Sequence, residues 1–135
     1  MGPLISERRL MSIENLVNDA VERGGKIATG GDRLGNCGYF FEPTVLTDVP
    51  LDARIMNEEP FGPVATIAPF DSLEEAVTEA NRLPYGLAAY AYTSSANTMA
   101  QVQSKVESGM LSINHHGLAQ PETPFGGMGD SGWGS

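Results

Sequence analysis

Four groups of residues in this 135-residue chain are of types that do chemistry. They are the neighbouring carboxylates Glu58 and Glu59, the single thiol Cys37, the adjacent imidazoles His115 and His116, and the glycine run Gly127-Met128-Gly129-Asp130-Ser131-Gly132. By residue type alone, Glu58 and Glu59 read as a solvated turn and Phe61 as a core residue. Side chains of sequence neighbours usually diverge, so His115, His116 and Cys37 do not compose a zinc site. An imidazole titrates near neutrality, which leaves His116 open as a general base. The glycine run matches G-x-G-x-x-G literally. It does not lie between a strand and a helix of a βαβ unit, so a phosphate-cradling role has no scaffold.

Composition narrows the function classes. Acidic side chains outnumber basic ones 17 to 8, the formal net charge is −9, and no Lys/Arg cluster appears, which argues against a nucleic-acid partner. A hydrophobic content of 41% is too high for a disordered chain and sufficient for a core. No apolar run approaches the roughly 18 residues needed to span a bilayer. The first residues have neither a basic nor an apolar signal region. One cysteine excludes an internal disulfide framework and fits a reducing compartment. The expectation is a soluble, cytoplasmic α/β protein of one domain or a large piece of one.

The elements that must position these groups follow from periodicity. Ser6 is placed to cap a helix in which Leu10, Ile13, Leu16, Val17, Ala20 and Val21 form one apolar stripe, ended by Gly24-Gly25. Residues 26–29 read as a short strand. Tyr39, Phe40 and Phe41 read as an extended segment that Pro43 limits to an edge or a strand end. Residues 64–70 form the next strand. An acidic helix start at 71–75 follows, with Leu73, Ala76, Val77 and Ala80 inward, and Pro84 stops that helix. Residues 87–93 are apolar and almost uncharged, as expected of a strand covered on both faces. Ser94 or Ser95 caps a third helix with Met99, Val102 and Val106 inward, and residues 110–114 form a further strand. The alternation predicts helices layered on a mostly parallel sheet. Residues 114–135 show no periodicity, are rich in Gly and Pro, and end abruptly, which suggests a fragment.

Five segments carry a family resemblance over essentially the whole chain. Asn57-Glu58-Glu59-Pro60-Phe61-Gly62-Pro63-Val64 resembles the Glu-Glu-x-Phe-Gly-Pro motif of the aldehyde dehydrogenase superfamily. Pro84-Tyr85-Gly86-Leu87-Ala88-Ala89-Tyr90 is similar to its Tyr-Gly-Leu-Ala strand entry, and Pro124-Phe125-Gly126-Gly127 with Ser131-Gly132 to its Pro-Phe-Gly-Gly…Ser-Gly signature. Gly2-Pro3-Leu4-Ile5 and Tyr39-Phe40-Phe41-Glu42-Pro43-Thr44-Val45 fit in the expected order. The general likeness is to enzymes of the succinate-semialdehyde dehydrogenase type.

The resemblance implies the C-terminal portion of a catalytic domain that oxidises a small-molecule aldehyde to a carboxylate with NAD or NADP, through a cysteine thiohemiacetal and thioester. It implies that Glu59 accepts from the nicotinamide ribose hydroxyls, that Phe61 packs beside the nicotinamide, and that the 114–125 loop walls the substrate tunnel through Gly117, Ala119 and Phe125. Relatives acting on carboxylate-bearing aldehydes place a serine near the Ala119 position, and Ala119 cannot do that work. The family's cysteine, catalytic glutamate, cofactor domain and terminal subunit-exchange strand are expected outside residues 1–135. Cys37 lies where the family has a surface connection, so it is not the nucleophile. The parent is expected to be a homo-oligomer, a dimer or tetramer. The alternative is a noncatalytic remnant or assembly domain from a truncated reading frame.

Overall fold

Ser6 lies in extended backbone (φ −161°, ψ 162°), and its hydroxyl accepts from the Arg9 N–H at 3.3 Å. That cap satisfies a donor with no partner inside the helix and starts α1 (Glu7–Glu22). One face of α1 is fully buried, with Leu10, Ile13, Leu16, Val17 and Ala20 all at 2% exposure or less. Val21 does not join them. It is 42% exposed, because it lies past the edge of the face that meets the sheet. The computed structural model describes residues 1–134 and divides into two compact units, Met1–Pro69 and Phe70–Ser135.

In the first unit α1 covers β1 (Lys26–Thr29), β2 (Thr44–Thr47) and β3 (Val64–Ile67), in the order β1-β2-β3. β1 runs antiparallel to β2, and β2 runs parallel to β3 with Thr44 opposite Val64. Tyr39 and Phe40 stay outside the ladder. Phe41 makes a single bridge to Arg33 and inserts its ring into the core. The strand itself begins after Pro43, which has no N–H to donate; the Thr44 N–H donates to the Pro63 carbonyl at 2.8 Å. Leu46, Ala53 and Ile55 complete the core under α1.

The second unit contains α2 (Leu73–Ala80), β4 (Tyr85–Gly86), β5 (Ala88–Ala91), α3 (Ala96–Lys105), β6 (Met110–Ile113) and β7 (Met128–Gly129). Ser72 caps α2 and Ser95 caps α3, each accepting from the N–H three residues on at 3.2 Å. α2 ends at Asn81, before Pro84, because the Asn81 side chain bridges to the α3 terminus: it donates to the Lys105 carbonyl at 2.7 Å and accepts from Glu107 N–H at 2.9 Å. β5 and β6 pair in parallel around α3, as a β–α–β alternation requires.

Three expectations change here. β5 is not covered on both faces, since Tyr90 is 48% exposed and Ala88 is open as well. Of the expected inward residues of α2, Leu73, Ala76 and Val77 are only half-buried and Ala80 is exposed, and with β5 and α3 they border an open apolar cavity of about 570 Å³. The region after residue 114 also contains β7, antiparallel to β4. The glycine run is therefore a stitch: Asp130 N–H donates to the Pro84 carbonyl at 2.8 Å, and Gly86 N–H donates to Ser131 Oγ at 3.0 Å. The architecture remains α/β, with its longer ladders parallel.

The exposure difference along α1 has a direct consequence. Leu16→Ala should cost the chain about 2–5 kcal/mol, the usual range for emptying a core leucine, whereas Val21→Ala should stay within about 0.5 kcal/mol. Urea denaturation of the two variants checks this, and equal losses would place Val21 in the core after all.

Candidate functional site

The Glu58-Glu59 turn is held from below by α1. Asp19, near the end of that helix, accepts the Arg54 backbone N–H at 2.8 Å and the Arg23 guanidinium at 3.0 Å. These bonds hold the Asp19 carboxyl below its ordinary value, the Arg54 N–H contributing most and Arg23 next. Arg54 opens a 3-10 turn (Arg54–Met56), and the Asn57 side chain closes it by donating to the Leu51 and Ala53 carbonyls at 2.8 Å each. Arg54 then grips Glu58 with both arms of its guanidinium, at 2.7 Å and 3.0 Å. Those bonds lower the Glu58 pKa and raise that of Arg54.

The two carboxylates thus part company. Glu58 is bound within the structure, and Glu59 is exposed with no side-chain hydrogen bond or ion pair among the described residues. This distinction was within reach of the sequence, because Arg54 and Glu58 stand at helical i,i+4 spacing.

Beyond Glu59 the chain folds tightly. Phe61 N–H donates to the Glu59 carbonyl at 3.1 Å, Gly62 N–H to Pro60 at 2.7 Å, and Val64 N–H to Gly62 at 2.9 Å. Gly62 rests directly on α1. A Cβ added there would lie 2.5 Å from Ile13 Cγ1 and 2.6 Å from Ile13 Cδ1, closer than carbon atoms approach. The close approach turns Phe61 outward, 60% exposed, so it is not the core residue its type suggests. The Arg9 guanidinium lies 5.2 Å from its ring centroid. Phe61 borders a groove of about 770 Å³ between residues 1–5, Phe41 and the 60–63 turn. A flat exposed ring beside an uncommitted carboxylate suits a ligand with an apolar ring and a vicinal diol, because a carboxylate accepts from both hydroxyls. The residues present therefore fit the ribose-nicotinamide portion of a dinucleotide.

In the second unit Gly117, Ala119 and Phe125 share one exposed loop, with Phe125 56% exposed. Asn114, at a positive φ of 63°, accepts from Thr93 N–H and donates to the Thr93 carbonyl, both at 2.9 Å, and so prolongs the β5–β6 ladder. Buried Ser112 donates to the His115 carbonyl at 2.7 Å. The His116 ring leans on Tyr90 and Tyr92, with its Nε2 2.7 Å from the Tyr92 hydroxyl. His116 is thereby tied to the loop's support. Cys37 is exposed in the turn before Tyr39, and among the described residues no three metal-binding side chains cluster.

Two expected outcomes follow. Gly62→Ala should destabilise the chain by about 1–3 kcal/mol through overpacking, and by clearly less when Ile13 is already alanine. Independent losses in a double-mutant cycle would remove Ile13 as the reason for the glycine. Asp19 and Glu58 are held below ordinary values of 3.8 and 4.5, so the stability they add is complete above those values and drains away as pH falls through the lowered ones. Asp19→Asn should flatten the acid limb of a plot of urea midpoint against pH, and an unchanged slope below about pH 4 would contradict the assignment.

The aldehyde dehydrogenase family model matches residues 1–135. The chain is 47% identical over 135 residues to a 4-(hydroxymethyl)benzenesulfonate dehydrogenase of Comamonas testosteroni, covering all of this chain and 28% of that protein. It is 44% identical over 133 residues to the mitochondrial succinate-semialdehyde dehydrogenase of Rattus norvegicus, covering 98% of this chain and 25% of that one. Its fold superposes on the NAD+ complex of a Bacillus cereus aldehyde dehydrogenase with a TM-score of 0.93 and 42% identity, over 98% of this chain and 27% of that structure. The chain thus spans about a quarter of the length of these proteins. The motifs, the fold and the family match agree, and the chain belongs to the aldehyde dehydrogenase family.

Proposed function

We propose that this chain is the C-terminal portion of the catalytic domain of an NAD(P)-dependent aldehyde dehydrogenase. In this reading it orients cofactor and substrate but supplies no nucleophile. The observation that carries it is the separation of the two carboxylates: Arg54 binds Glu58 with both arms, and Glu59 stands free beside the exposed Phe61. The Glu59 carboxylate accepts from both nicotinamide ribose hydroxyls, and the Phe61 ring limits where the nicotinamide can swing. NAD or NADP supplies the hydride acceptor when bound. Fixing the ring in this way raises the fraction of encounters aligned for transfer.

The 114–125 loop forms part of the substrate tunnel, with Gly117 and Ala119 leaving width and Phe125 an aromatic wall. The aldehydes are small molecules, and relatives named for succinate semialdehyde and for a benzenesulfonate support substrates with an anionic end. Large exposed apolar side chains away from these two sites, among them Ile67, Phe70 and Tyr92, are what the remaining three-quarters of such an enzyme would cover. We infer that the intact enzyme is a cytoplasmic homo-oligomer, a dimer or tetramer, without nucleic-acid or membrane partners. No helix among the described residues is long and apolar enough to cross a membrane.

The purified chain should therefore produce no NADH or NADPH from any aldehyde, and turnover free of full-length enzyme would refute the reading. In the intact enzyme, Glu59→Gln should slow single-turnover hydride transfer by about tenfold or more while changing the cofactor Kd by less. An unchanged transfer rate would remove Glu59 from the site.

A further inference from the structure

The backbone around Phe125 is placed by a steric stop rather than by hydrogen bonds. Among the described residues, Pro124, Phe125 and Gly126 make no backbone hydrogen bond. What bounds them is Gly109, the residue before β6. A Cβ added at Gly109 would lie 2.8 Å from the Gly126 carbonyl carbon, 2.9 Å from Gly127 Cα and nearer still to the Gly126 oxygen. Two backbones therefore cross here in direct contact, an approach that requires a residue without a side chain.

Only one side of the crossing can yield. Gly109 is locked to its neighbours: its N–H donates to the Gly86 carbonyl at 2.9 Å, and Met110 N–H donates to the Leu87 carbonyl at 3.0 Å. Gly86 also holds the far end of the loop, because its N–H donates to Ser131 Oγ at 3.0 Å. Gly86 has no room to shift, since a Cβ there would meet the Glu107 carbonyl oxygen at 2.6 Å. At the near end, Thr123 Oγ1 donates to the Leu118 and Gln120 carbonyls at 3.0 Å and 3.1 Å. Residues 124–126 are slung between these two fixed points. They are the part that moves when anything larger than a hydrogen replaces one on Gly109 Cα, and Phe125, bonded to Gly126, moves with them.

We propose that Gly109 is a positioning residue for the substrate tunnel. Its bare Cα sets where the Phe125 ring stands, and so the breadth of aldehyde admitted, a role that rests on the 114–125 loop walling that tunnel. A bulky aldehyde reaches the ring, and a wall shifted in either direction costs it a contact or adds a clash. A small aldehyde does not reach that far, so the effect is one of selectivity.

In the intact enzyme, kcat and KM are measured for benzaldehyde and for propanal with wild type, Gly109→Ala, Phe125→Ala and the double variant. Gly109→Ala should lower the benzaldehyde-to-propanal ratio of kcat/KM by about tenfold, with kcat for propanal held within about twofold. In the Phe125→Ala background the same substitution should change the ratio by less than about twofold. Ser131→Ala releases the far anchor of the loop without filling any space. It should lower the ratio by less, lose its effect in the same background, and carry the test if Gly109→Ala does not fold. A ratio unmoved by both variants, an equal loss on both aldehydes, or a fall that persists without the Phe125 ring would overturn the role of Gly109 and leave the tunnel standing. Phe125→Ala with a wild-type ratio would instead remove Phe125 from the tunnel, and the role of Gly109 with it.

Discussion

The first unit depends on how closely its backbone can approach one isoleucine. Gly62 lies against the Ile13 side chain, which is fully buried on α1, and nothing larger than a hydrogen fits between them. This contact sets the depth of the turn that carries Glu59 and Phe61. The turn continues into β3, whose parallel pairing with β2 starts immediately beyond it. Core packing and site geometry therefore share the same atoms. A well-packed interior yields little to added volume, so an error in packing here becomes an error in where the carboxylate points.

Charge works on the same scaffold. Asp19 ties the end of α1 to the Arg54 backbone, and the Arg54 side chain takes Glu58. The Arg54–Glu58 ion pair is exposed and would add little to stability alone. Its effect lies in selection: of two adjacent, chemically identical groups, one is engaged and the other is left available. The second unit repeats the logic without charge. Asn114, Ser112 and Thr123 use side-chain hydrogen bonds to hold a loop that has no ladder of its own. Such bonds to the backbone are how an irregular segment satisfies its polar groups and keeps its shape.

The sequence was most informative where local physics decides. The α1 stripe from Leu10 to Ala20, the Ser6 cap, a cap at Ser94 or Ser95 and the strands near residues 26, 64, 88 and 110 could be read from spacing and residue type, and the five motifs located the family, while β2, β4 and β7 were not read. Residue type alone misleads where the answer depends on neighbours. The apolar 87–93 segment looked like a fully covered strand, yet apolar composition reports what a strand can bury and not what is present to bury it. Phe61 looked like core because its outward turn depends on Gly62 meeting Ile13, a contact between residues 49 apart in sequence. The glycine run looked like a dinucleotide fingerprint in letters only, and its pairing with β4 is a long-range event.

The account is tested most directly by a crystal structure of the full-length enzyme with its oxidised dinucleotide bound. The Glu59 carboxylate should lie at hydrogen-bond distance, about 2.6–3.2 Å, from the hydroxyls of the nicotinamide ribose, with Arg54 still on Glu58. A ribose held by some other residue while Glu59 faces bulk water, or Arg54 moved across to Glu59, would contradict it.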